Sequence, residues 1–185
     1  MSKNTVSKIS NAFSTGGGGV NFEHQVQAMF LLSLLVDGFC PAMNEQTMSV
    51  WFQATKEKFK QEHPEFQAKL QYDVDDLAVF TYRGQAEGKL LCQMKHSITI
   101  SETNQTFQEV ITAAWSDFQK DNFDRDNDRI ALVTAQIAYK SQHALRFLHA
   151  QAEASGDEKQ FADRVYHTNS SNDDNKKALA AIASW

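Results

Sequence analysis

The run DVDDLAVFTYRGQAEGKLLCQMKHS, residues 73–97, decides how this chain folds. Residues 77–82 are apolar with β-branched and aromatic members, residues 83–88 hold two glycines among mostly polar neighbours, and residues 89–96 turn apolar again. That pattern predicts strand, turn, strand. Side chains alternate along a strand, so Gln93 and Lys95 share one face while Cys92 and Met94 take the other. If the two strands pair as a hairpin, Asp76 at the opening of the first stands beside Gln93 and Lys95 at the end of the second.

Working outward, Phe22, Val26, Met29, Phe30 and Leu34 recur at helical spacing. They predict a helix over 21–36, with Asn21 as its cap and Asp37-Gly38 as its stop. Residues 48–53 suit a strand, and residues 54–67 are charged and helix-prone. The KEKFK run there reads as a solvated face. Downstream, residues 101–104 open a helix with Thr106 and Glu109 at capping-box spacing; its apolar stripe is Phe107, Val110, Ile111, Ala114, Trp115 and Phe118. RIALVTA, residues 129–135, is a short continuous apolar run, as in a strand buried on both faces. Residues 139–152 form a further helix. The crossover from 89–96 through the Phe107 helix to 129–135 implies a parallel pair in a mixed sheet, hence a three-layer α/β domain.

The polar segment 1–20, ending in STGGGG, reads as a flexible leader; no Gly-Lys-Ser/Thr follows the glycines, so it is not a phosphate loop. The domain is expected over 21–170. Residues 171–185 read as the start of a linker or following helix, capped by Asn172-Asp173-Asp174, in a chain cut from a longer protein. Two cysteines in apolar surroundings, Cys40 and Cys92, are too few for a disulfide framework and read as buried free thiols in a reducing, cytoplasmic setting. The longest apolar stretch, 29–36, is too short to span a bilayer, and no signal peptide is evident. Net charge is −5, which runs against a nucleic-acid partner unless the acidic segments lie away from the binding face.

The chemistry concentrates on Asp76, Gln93 and Lys95. A carboxylate and an amide oxygen are hard ligands for Mg²⁺ or Mn²⁺, with Asp75 a further candidate ligand. A lysine beside them can orient water or neutralise charge on a phosphate undergoing hydrolysis. On spacing alone the same residues read equally well as a turn cap with Lys95 in an ordinary ion pair. Asp73 and Asp75 crowd Asp76, so its removal is expected to relieve repulsion. Asp124, Asp126 and Asp128 imitate a calcium loop, but Arg129 and Ala135 stand where glycine and glutamate are needed, leaving a solvated acidic loop. No HExxH, CxxC or Gly-x-Ser-x-Gly occurs.

Five runs carry a resemblance: GVNFE at 19–23, DDLAVF at 75–80, QMKHS at 93–97, AAWSDF at 113–118 and DRIALVT at 128–134. Together they resemble the PD-(D/E)xK nuclease superfamily, in the branch that supplies N-terminal DNA-endonuclease domains of bacterial antiphage proteins. Those proteins are cyclic-oligonucleotide-activated or built on STAND NTPase sensors. The resemblance spans residues 19–135 and implies a three-layer α/β/α restriction-endonuclease-like fold. It further implies Mg²⁺- or Mn²⁺-dependent hydrolysis of double-stranded DNA with little sequence preference, and self-association through the rest of a longer chain. Asp76 matches the metal-binding aspartate, Lys95 the catalytic lysine, and Glu23 the supporting glutamate of the first helix. Gln93 stands where the usual pattern has Asp or Glu, similar to a Q-x-K variant. The alternative is an inactive module of the same fold, serving assembly or nucleic-acid binding.

Overall fold

The computed structural model describes residues 17–52, 72–74, 76–84, 86–167, 169 and 171–183. Asp75, residues 1–16 of the predicted leader and the predicted helix over 54–67 therefore lie outside the described residues. Helix α1 is Gly17–Leu35, followed by strands β1 Gln46–Phe52, β2 Leu77–Arg83 and β3 Ala86–Ser97. Helix α2 is Gln105–Phe118, strand β4 Arg129–Gln136, and helices α3 Tyr139–Glu153, α4 Glu158–His167 and α5 Asp173–Ala183 complete the chain. The four strands form one mixed sheet in the order β1-β2-β3-β4.

The predicted hairpin is present: β2 and β3 pair antiparallel, from Arg83 opposite Ala86 to Leu77 opposite Cys92. Gly84 opens the turn at φ +69, a left-handed conformation that a tight hairpin loop demands. The turn is thus two residues long, shorter than the predicted 83–88, because Ala86, Glu87 and Gly88 already belong to the ladder. The crossover prediction also holds, since β3 and β4 pair parallel from Leu90 opposite Arg129 onward.

Strand alternation sorts the core into two layers. On one face Leu77, Val79, Leu90, Cys92 and Met94 pack with Val26 and Phe30 of α1. On the other, Ala78 and Leu91 pack with Tyr72, Val74 and Phe123, backed by Ala113, Ala114 and Phe118. The result is an α/β domain with helices on both faces of the sheet. The last three helices add a satellite core of Ala144, Leu148, Val165 and Ala178. Within α5, Ala181 is buried against Phe107 and Val110, so residues 173–183 pack onto the same unit. Among the described residues no helix is long and apolar enough to cross a membrane.

Two helix ends differ from the prediction. Helix α1 includes Gly17–Val20, so Asn21 is interior rather than a cap. Glycine costs a helix about 1 kcal/mol per residue, but here packing overrides propensity: Gly18 is buried and Phe22 meets His96 edge-on at 5.8 Å. At its far end the stop is where expected, but Asp37 rather than Gly38 takes the left-handed conformation, at φ 51. Gly38 N–H reaches Ser33 O at 2.7 Å and Asp37 N–H reaches Leu34 O at 3.3 Å, the paired bonds of a Schellman stop. At α2, Asn104 is the cap: its side chain accepts from Phe107 N–H at 2.8 Å.

Candidate active site

Asp76 stands one residue before β2, just beyond the Leu77–Cys92 pair. There β2 no longer supplies carbonyls to β3, and the side chain takes over: Asp76 Oδ2 accepts Met94 N–H at 2.7 Å. The same oxygen accepts from Gln93 Nε2 and faces Lys95 Nζ at 3.7 Å. Gln93 and Lys95 project to the α2 side, as alternation requires, because Leu91 on that parity packs there and Cys92 and Met94 pack under α1. Three residues singled out from sequence are therefore brought together.

The cluster is half-buried, with 13% of the Asp76 side chain and 32% of the Lys95 side chain exposed. Asp76 Oδ1 and Gln93 Oε1 have no hydrogen bond among the described residues. Gln93 turns its amide nitrogen to Asp76, which leaves its oxygen for another donor or a cation. Two such oxygens beside an ammonium fit a hard, mostly hydrated cation such as Mg²⁺, which needs only one or two protein ligands. Among the described residues no three His, Cys, Asp or Glu side chains gather as a metal cage. The candidate set here is one carboxylate and one amide, with Asp75 outside the described residues.

Glu23 is not bonded to this cluster. It lies on α1, half-buried one turn before Val26, against the opposite face of the sheet. Near it a cavity of about 450 Å³ is lined by Phe22, His24, Gln25 and His96. The expectation that Asp73 crowds Asp76 needs correction. Asp73 Oδ2 is held by Ser116 Oγ at 2.7 Å and Lys120 Nζ at 3.2 Å. Removing Asp76 would instead orphan Met94 N–H, at a cost of about 1–3 kcal/mol.

In the acidic loop read as solvated, Asp124 and Asp126 are exposed, but Asp128 is not. Asp128 is 2% exposed. It accepts Lys89 N–H at 2.9 Å and Asp124 N–H at 2.8 Å, and it pairs with Lys89 Nζ at 2.7 Å. Burial pulls the Lys89 pKa down, but the hydrogen bonds and charges of Asp128 and Tyr72 outweigh it and hold it above 10.5. Missed altogether was Asp117, fully buried on α2. A signal existed: Phe107, Val110, Ala114 and Asp117 recur at i, i+3, i+7, i+10, so the stripe itself places an acid on the packed side.

The fold and site together define an α/β domain with a carboxylate, an amide and an ammonium at one end of a mixed sheet. No protein-family model matches the chain, and neither the curated proteins nor the solved structures contain a match to it.

Proposed function

We propose that this chain is a metal-dependent DNA endonuclease domain of restriction-endonuclease-like fold, the effector part of a bacterial antiphage protein. The observation that carries the reading is the meeting of Asp76, Gln93 and Lys95 at the β2–β3 end, with Asp76 Oδ1 and Gln93 Oε1 unengaged among the described residues. Those two oxygens would hold Mg²⁺ or Mn²⁺. When bound, such an ion lowers the pKa of a coordinated water and offsets charge on the phosphate. Lys95, fixed on the same strand face as Gln93, orients the attacking water and neutralises the charge that grows on the phosphate oxygens. Asp76 Oδ2, 3.7 Å from Lys95 Nζ, holds that ammonium in place. The substrate is double-stranded DNA with little sequence preference. Because net charge is −5, self-association through a longer chain would gather several domains and raise affinity by multivalency.

A second reading has its own support. The three side chains already contact one another through Asp76 Oδ2, which also caps Met94 N–H. A catalytically inactive module of this fold would have a structural reason to keep Asp76. Plasmid nicking with Mg²⁺, with Mn²⁺ and with EDTA separates the two. Metal-dependent nicking that disappears in a well-folded Lys95→Ala protein and in Asp76→Asn supports the endonuclease. Asp76→Asn retains one acceptor for Met94 N–H, removes the charge and puts an NH₂ group in place of the other carboxylate oxygen. Nicking that survives EDTA, or persists in Lys95→Ala, removes the proposal.

A further inference from the structure

Asp117 has no exposed surface, and a buried carboxylate persists only where donors surround it. Its donors come from the chain that leads into Asp76. Asp117 Oδ1 accepts Asp73 N–H at 2.7 Å, and Oδ2 accepts Val74 N–H at 2.7 Å. Lys120 Nζ closes the group at 2.6 Å from Oδ1. One carboxylate thus grips two consecutive peptide groups, which sets the direction in which the chain leaves Val74.

The grip is reinforced from outside. Lys120 also reaches Asp73 Oδ2 at 3.2 Å, and Ser116 Oγ donates to that oxygen at 2.7 Å. Burial lowers the Lys120 pKa, yet its hydrogen bonds and charge pairing with Asp117 and Asp73 raise it above 10.5 overall, so it stays charged. Val74 itself is fully buried beside Leu91 and Phe123. Two residues further on, Asp76 is anchored from the other side by Met94 N–H.

We propose that Asp117 is a positioning residue for Asp76: through the backbone of Asp73 and Val74 it fixes where the Asp76 carboxylate sits relative to Gln93 and Lys95. The inference rests on the endonuclease reading of that cluster. Displacing a reacting group by about 1 Å can cost about 100-fold in rate, so a loosened grip lowers turnover without touching DNA contacts. A merely structural Asp117 would alter stability alone.

The test uses Asp117→Asn and Lys120→Met in the whole chain. Asparagine keeps the size and one acceptor but turns an NH₂ group toward one of the two amides. Methionine at 120 leaves both acceptors and removes the counter-charge, so it carries the test if Asp117→Asn does not fold. Expected in folded Asp117→Asn is a kcat for plasmid nicking reduced about 10- to 100-fold, with KM for DNA little changed and weaker apparent Mn²⁺ affinity. Lys120→Met should lose less, in the same direction. Wild-type kcat in a folded variant, or a loss that only follows the folded fraction, overturns the inference. If Asp76→Asn and Lys95→Ala still cut, the reading of the site falls. If those two are dead while Asp117→Asn and Lys120→Met cut normally, only the role of Asp117 falls.

Discussion

Gln93→Glu probes the candidate metal site more sharply than any deletion, because it adds a second carboxylate without changing size. Gln93 Nε2 now donates to Asp76 Oδ2, and an amide-to-carboxylate bond contributes about 1.5–3 kcal/mol. The substitution replaces that donor with a negative charge. Two unit charges about 4 Å apart repel by about 4 kcal/mol at an effective dielectric of about 20. Lys95 Nζ, 3.7 Å from Asp76, offsets much of this, and solvent screens a site that is partly open. The net is about 2 kcal/mol of destabilisation in EDTA. For a domain this size that corresponds to a Tm about 4–8 °C lower. Repulsion raises the folded-state pKa of the new carboxyl above its unfolded value. The deficit is therefore present at neutral pH and fades as pH falls toward about 4.3, the ordinary glutamate value. Mn²⁺ should reverse it, since two carboxylates bind the ion better than one and ligand binding stabilises the folded state. Melting curves in EDTA and in Mn²⁺, at pH 7.5 and pH 4.5, read all of this. An unchanged Tm in EDTA, or a deficit that Mn²⁺ leaves untouched, would refute the reasoning.

Gly88→Ala should destabilise through overpacking. A Cβ there would come within 2.7 Å of Glu45 Oε2, 2.8 Å of the Asn127 backbone oxygen and 2.9 Å of Thr81 Oγ1. A loss of about 1–3 kcal/mol in urea melts is expected, and wild-type stability would show that the strands shift freely. Burial pushes both thiols, Cys40 and Cys92, up from 9.0 to about 12. Native protein should resist iodoacetamide at pH 8, and rapid labelling of either thiol without unfolding would contradict their burial. The same raised values mean that their stabilising contribution is complete below pH 9 and is lost as pH climbs toward 12. Urea midpoints that stay constant from pH 8 to 11 would count against it. Asp128→Asn removes the counter-charge of Lys89 and leaves position 128 with one acceptor for the two amides, Lys89 N–H and Asp124 N–H, that its two carboxylate oxygens now take. A buried donor then goes unsatisfied, with an expected loss of about 1–3 kcal/mol. No change in the melting curve would show that these contacts form only weakly.

What the sequence determined by itself is whatever depends on one element at a time. Alternation in residues 77–97 settles the strand pair, the shared face of Gln93 and Lys95, and the opposite face of Cys92 and Met94. A helix between two apolar runs settles the parallel β3–β4 pair, because a crossover of that kind has few alternatives. Tertiary structure decided the rest. Helix α1 begins among glycines because packing of Gly18 and Phe22 outweighs a propensity of about 1 kcal/mol per residue. Asp76 became a strand cap because the β2–β3 ladder ends at the Leu77–Cys92 pair, short of Met94. Asp117 and Asp128 look like surface acids, yet both are buried. The charge of each is offset by donors far along the chain, as with Asp73 N–H, 44 residues from Asp117. Periodicity is written locally, whereas the cost of burying a charge is met only by groups that the fold brings close.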